Sequence, residues 1–355
     1  MDHTQRVHIG RDYPGARPTE VTKLGYGGGA IGNFSTSVSD AAAHGAMQAA
    51  WDAGIRYFDT APWYGLGLSE HRIGRFLRDK PKADYVLSTK VGRLLKAWPP
   101  SHGPRVQRGP WVEPLNFEVR FDYSYDGVIR AYEDSLQRLG LAEVDILLIH
   151  DLDRTYHSPE GNYQARLGQL SNGGSAALRD LRADGKISAI GAGVNTTGVI
   201  TDLLERFEPD VFLVAGPYTL LNQEEMFQTE LERCRQAGIR VVIGAALGYG
   251  LLATGVRNRD PSAIPEVEAG AIERVRSLED ACDRWGVRLP AAALQFPAAH
   301  PAVAAVLFGA IDASQVEQAI GWFGADIPAG FWNDLHTHGL LPAGVPVPWD
   351  PAAVR

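Results

Sequence analysis

The chain has 355 residues, and hydrophobic residues make up 45% of it, enough to bury a large core. Its formal charge of −8 comes without acidic or basic blocks, which argues against a nucleic-acid-binding surface. The first residues, MDHTQRVHIGRDYPGARP, lack the apolar stretch of a secretory leader, and no apolar run approaches the length of a membrane span, so neither a leader nor a membrane partner is expected. Cys234 and Cys282 lie far apart without CxxC spacing, each in a predicted helix. They read as structural thiols in a reducing, cytoplasmic setting.

Short β-rich runs alternate with longer helical patterns. The strands are expected at Leu24–Gly28, Ile55–Asp59, Tyr85–Lys90, Asp145–His150, Ile187–Gly193, Val211–Ala215, Arg240–Gly244 and Val303–Gly309. Runs such as VDILLIH and IRVVIGA are nearly all apolar, as suits parallel strands covered on both faces. Ser39-Asp40 reads as the cap of a helix ending at Gly54, Ser69-Glu70 as the start of a second, and Asp126 as the start of a third closed by Gly140. Further helices are expected near Ser175–Asp184, Thr197–Phe207, Glu224–Ala237, Glu266–Trp285 and Ser314–Phe323. Eight strands, each followed by a helix, fit a (β/α)8 TIM barrel in one domain, with a doubly wound sheet as the alternative. The core is expected over about 20–325, with a Pro-rich tail over 326–355. Two long loops, 96–121 and 156–172, follow strands and therefore belong over the C-terminal face.

Gly27, Gly29 and Gly32 spell GxGxxG after the first strand. A dinucleotide fingerprint needs its helix to open at the glycines, and here the next helix waits until Ser39. A close backbone turn at the barrel mouth is the better reading.

The strand ends carry the chemistry. Strand two ends in Asp59, with Tyr64 on the following loop; strand three ends in Lys90, strand four in His150, strand five in Asn195. A barrel brings these ends to one mouth. There, a lysine beside the tyrosine is expected to lower its pKa toward the working range, Asp59 to hold the lysine, and His150 to orient a carbonyl or hydroxyl. Asn195 suits a carboxamide.

FDTAPWYG with Ser69-Glu70, then STK, then LLIH resembles the aldo-keto reductase superfamily over about Leu24 to Phe323. The resemblance implies a barrel that binds NAD(P) extended across its C-terminal face, with Asp59, Tyr64, Lys90 and His150 as the catalytic tetrad. It also exposes departures. Val194 stands where many members have a serine before Asn195, Gln223 finds no clear place at the nicotinamide, and the stacking tyrosine after strand seven looks replaced by a small residue. GLLATG resembles the phosphate-contacting loop, making Gly250, Leu251 and Leu252 cofactor candidates, with Gly309, Ile311 and Gln315 after strand eight. NADP-preferring members commonly place Lys or Arg there; this run has Asp312 and no cation from Val306 to Ile320, which favours NAD over NADP.

GAGVN, PYTLL and GLLATG together resemble a subgroup that oxidises cyclic hemiacetals: L-fucose or D-threo-aldose 1-dehydrogenases, D-galactose-type 1-dehydrogenases and pyridoxal 4-dehydrogenase. The resemblance implies a small sugar or aldehyde substrate. Trp63, Trp98 and Trp111 are the candidate substrate walls. The other readings are an NADPH-dependent carbonyl reductase and a nicotinamide-binding regulatory subunit. His336 and His338 form an HxH with no third ligand nearby and read as surface residues.

Overall fold

A computed structural model describes residues 1–10, 17–103, 107–223, 225–257 and 270–348. Eight parallel strands close into a barrel: β1 (Leu24–Gly27), β2 (Tyr57–Asp59), β3 (Val86–Val91), β4 (Ile146–His150), β5 (Ala189–Val194), β6 (Val211–Ala215), β7 (Arg240–Gly244) and β8 (Val303–Phe308), with β8 paired to β1. The expected strands are all present, in the expected order.

Strand alternation sorts each side chain inward or outward. Tyr57, Val86, Ile146, Leu148, Ala189, Val211 and Leu213 pack inside the barrel. Phe58, Leu87, Leu147, Ile149, Ile190 and Phe212 join the outer core beneath the helices. Continuing the inward rows one or two steps toward the C-terminal end reaches Asp59, Lys90 and His150. These polar groups are thus the top layer of a largely apolar interior, with Ser88 just beneath them.

The opposite end is closed by a hairpin, Arg6–Ile9 against Thr19–Thr22, whose Ile9 and Val21 join the inner cluster. It lies ahead of the first strand expected from sequence.

Ser39 caps the helix Asp40–Asp52 by accepting from the Ala42 amide, and Ser124, not Asp126, caps Tyr125–Leu139. The second helix, Leu68–Leu77, opens from Gly67 at φ 100° instead of from Ser69-Glu70. Ser69 and Glu70 are fully buried and hold the tyrosine loop in place: the Ser69 hydroxyl donates to the Gly28 carbonyl, and Glu70 accepts from Thr89 and Arg138.

The stretch expected as a loop over 156–172 is largely helical. Glu160–Gln169 runs through a wide five-residue turn, Leu170–Gly174, into Ser175–Ala183, leaving a short connection after β4. The helix expected over Thr197–Phe207 is only Val199–Leu204, and Glu224–Ala237 becomes Glu225–Gln236 with Glu224 outside the described residues. Ala271–Trp285 covers the described part of the helix expected over Glu266–Trp285, whose expected start lies outside the described residues. Leu289–Ala298 has no counterpart in the sequence expectation: nine of its ten residues are buried, so it has no polar face to give a helical period. The tail contributes the helix Ala329–Thr337, which buries Phe331, Trp332 and Leu335. No helix of the described residues is long and apolar enough to cross a membrane.

The described residues of 93–121 form an arm over the C-terminal face. Arg93–Ala97 pairs antiparallel with Phe117–Phe121, and Gln107–Arg108 with Trp111–Val112. Cys234 and Cys282 are free, buried thiols in helices.

Candidate active site

Asp59 and Lys90 form a buried ion pair, with Lys90 Nζ 2.9 and 2.7 Å from the two carboxylate oxygens. The ammonium also donates to the Thr60 carbonyl at 2.8 Å, which commits all three of its hydrogens. Ser88 donates to Asp59 at 2.6 Å. Gly193, on the inward row of β5, leaves the lysine stem its space: a Cβ there would sit 3.5 Å from Lys90 Cε.

Tyr64 stands above this pair, with Lys90 Nζ 4.7 Å from its ring centroid and the His150 ring 6.0 Å away, edge-on. The loop that carries it is wound tightly, with Gly65 and Leu66 at φ 65° and 56°. Of the glycines of GxGxxG, Gly32 serves this loop. A Cβ on Gly32 would lie 2.8 Å from the Tyr64 carbonyl carbon, and Gly28 donates to the Asp59 carbonyl at 2.7 Å. The reading of a close turn holds.

The electrostatics differ from the sequence expectation. Burial first, then the charges of Asp59 and Asp151, push the Tyr64 phenol well above its ordinary value near 10. Lys90 does not bring it down, because its charge is already matched by Asp59 in contact. Tyr64 is part-exposed at the mouth, yet the protein packed around it holds it as a neutral phenol. Burial pushes His150 down to about 3, against a smaller opposing pull from Asp151, so its imidazole is neutral. Its Nδ1 is buried without a hydrogen-bond partner among the described residues.

A second layer of charge lies next to His150 and is absent from the sequence expectation. Asp151 is buried, pairs with Arg93 Nη2 at 2.5 Å, lies 3.3 Å from His150 Nε2, and accepts from Asn195 Nδ2 at 2.7 Å. Asp153 accepts from the Asn195 and Thr196 amides at 3.0 Å each and from Asn195 Nδ2 at 3.2 Å. Burial raises the Asp153 carboxyl to about 6. The visible signal was the acids of IHDLD immediately beyond β4 and the arginine of TKVGR beyond β3.

Aromatic rings wall the mouth. Trp111 lies 5.6 Å from Tyr64, 5.9 Å from Trp63 and 5.6 Å from Phe34, with its indole nitrogen buried and unpartnered among the described residues. Trp98 is not brought to this cluster. It stacks edge-on with His102 at 4.8 Å, near the tip of the arm, roughly 16 Å along the ribbon from Arg93. Tyr249, after β7, is 64% exposed and stacks on Phe34 at 5.8 Å. A tyrosine therefore does reach the mouth from this loop, where a small residue was expected.

The aldo/keto reductase family model matches residues 23–338. The chain belongs to the aldo/keto reductase family. It is accordingly an NAD(P)-dependent oxidoreductase. A pyridoxal 4-dehydrogenase of Microbacterium luteolum is 40% identical over 90% of this chain and 95% of its own. A D-threo-aldose 1-dehydrogenase of a Pseudomonas species is 34% identical over 91% and 95%. An aldo-keto reductase structure from Bacillus halodurans in its holo form superposes with a TM-score of 0.70 at 22% identity, covering 97% of this chain and 98% of that one, a likeness of fold.

The aldo/keto reductase needs a nicotinamide site, and Asn195 fits one. Both hydrogens of its amide are given to Asp151 and Asp153, which leaves Oδ1 to accept from a carboxamide. The amides of Gly250, Leu251 and Leu252 are spent within their own turn, on the carbonyls of Leu247, Gly248 and Leu247. Gln223 is turned into its own loop, donating to the Thr219 and Leu220 carbonyls and accepting from Arg274. Gly309 packs closely, a Cβ there meeting Ala30 at 3.2 Å. Ile311 donates to the Gln315 side chain at 3.1 Å, while the Asp312 carboxylate caps the helix Ala313–Gly324 by accepting from the Gln315 amide at 2.9 Å. His338 Nδ1 lies 2.9 Å from the Asp334 carbonyl oxygen, and no group of three metal ligands occurs among the described residues.

Proposed function

We propose that this aldo/keto reductase is an NAD-dependent dehydrogenase that oxidises a cyclic hemiacetal, of an aldose or of pyridoxal, to its lactone. The observation that carries it is the cluster of Asp59, Lys90, Tyr64 and His150 beneath the wall of Trp63 and Trp111. The neutral His150 imidazole holds the anomeric hydroxyl. Tyr64 takes the proton of that hydroxyl as the carbon–oxygen double bond forms, and its own phenolic proton passes to water at the mouth, where the residue is part-exposed. The nicotinamide, when bound, supplies the hydride acceptor and, in its oxidised state, a ring cation. Lys90 and Asp59 together present a neutral, rigid floor that holds the phenol at one height. Asn195 Oδ1 is the acceptor suited to the carboxamide.

NAD is favoured over NADP by Asp312. Its carboxylate already sits at the N-terminus of Ala313–Gly324, where the helix dipole would otherwise favour a phosphate. A 2′-phosphate there meets like charge and no matching cation in the run that follows β8.

The pyridoxal reading has its own support. The walls are aromatic, and the relative of higher identity is the pyridoxal 4-dehydrogenase. A flat ring with few hydroxyls suits such walls better than a sugar that needs many hydrogen-bond partners. A panel of aldoses and pyridoxal, with NAD and NADP in parallel and read by reduced-cofactor absorbance, tests the proposal. Turnover of one hemiacetal with NAD is expected. Turnover confined to NADPH-dependent carbonyl reduction overturns it.

A further inference from the structure

Asp151 is a single carboxylate in contact with both halves of the site. Its Oδ1 accepts from Asn195 Nδ2 at 2.7 Å, and its Oδ2 lies 3.3 Å from His150 Nε2. The residue is 5% exposed and its backbone is left-handed, φ 50°, a conformation that a non-glycine residue adopts at a cost. Three contacts hold that backbone: the Asp151 amide donates to Gly193, and the Tyr123 hydroxyl donates to the carbonyls of His150 at 2.9 Å and Asp151 at 3.4 Å.

A buried carboxylate persists as an anion only with a partner. Arg93 is that partner, at 2.5 Å, and its guanidinium is fixed in turn by the faces of Trp63, Phe121 and Tyr156 at 4.7, 4.7 and 4.8 Å. Trp63 is the chain neighbour of Tyr64. One charge pair thereby touches the tyrosine loop, the histidine and the amide.

We propose that Asp151, neutralised by Arg93, is a positioning residue that sets His150 and Asn195 in a common frame, so that the proton site and the carboxamide site are aligned together. It rests on the proposed function for what His150 and Asn195 face. Cofactor binding is measured without substrate, so a failed substrate panel leaves this test readable.

The experiment uses the full chain and the variants Asp151→Asn, Arg93→Met and both together, with NAD titrated by tryptophan fluorescence and kcat and KM measured on the best hemiacetal. Asp151→Asn is expected to weaken NAD by about tenfold or more and to lower kcat more than it raises substrate KM. Arg93→Met is expected to act in the same direction, and the double variant to fall no further than Arg93→Met alone, because both act through one carboxylate. Losses that multiply, or an Asp151→Asn enzyme that binds NAD like wild type, overturn the proposal. Should Asp151→Asn not fold, Arg93→Lys carries the test: it keeps the charge but loses the stacked guanidinium plane, so its NAD affinity falls, and by clearly less than that of Arg93→Met. Equal losses in these two overturn it.

Discussion

At the residue scale, the reach of each strand end decides what the mouth can do. Asp59, Lys90 and His150 were legible because strand termini in a barrel converge, and each is the polar top of a largely apolar inward row. Asp151 and Arg93 were not, because they sit one and two residues past strand ends, where a side chain's direction depends on the local turn. Asp151 owes its direction to a left-handed backbone that sequence does not announce. The state of Tyr64 was also out of reach of sequence. A lysine nearby suggests an acidified phenol, but its charge is matched by Asp59 and burial decides. The proposed preference for NAD rests on Asp312. Replacing it by serine keeps a helix cap and removes the charge, so the ratio of NADP to NAD turnover is expected to rise with little change in melting temperature. Parallel kinetics with the two cofactors check this, and an unchanged ratio would place the discrimination elsewhere.

At the element scale, the tyrosine loop is anchored from below by the start of the helix Leu68–Leu77. Glu70 is fully buried, bound by Thr89 and by Arg138 from the helix Tyr125–Leu139. Removing Arg138 strands that charge, and Arg138→Ala is expected to lose about 3–5 kcal/mol in urea denaturation. The Arg138→Met, Glu70→Gln double variant should recover part of the loss; failure to recover would mean packing, not charge, dominates. Strand positions were readable from short apolar runs, and helices from caps and periodicity. Leu289–Ala298 escaped because burial all round erases the period, and the helix Glu160–Gln169 because its polar, glycine-bearing sequence mimics a loop.

At the scale of the whole molecule, the barrel buries three imidazoles in their neutral form. Burial pushes His150 down to about 3 and His157 and His300 to about 4, from an ordinary value near 6.5. Between those limits the unfolded chain binds protons that the native state refuses, so stability is full above about pH 6.5 and falls as pH drops toward 4. Asp153, raised to about 6, acts in the opposite sense, as does Asp145, and only partly offsets the imidazoles. Melting temperature should decline across this window, and His300→Asn should flatten the decline. The Asn carboxamide can replace His300 Nδ1 as acceptor for the Ala302 amide. A slope unchanged by that substitution would remove His300 from the account.

The proposed hemiacetal oxidation depends above all on Tyr64 carrying the proton. Its most direct test is single-turnover kinetics of Tyr64→Phe, with NAD affinity measured alongside. Loss of the hydroxyl should abolish reduced-cofactor formation while NAD affinity stays near that of wild type, since the ring and its packing remain. A Tyr64→Phe enzyme that turns over normally would contradict the account.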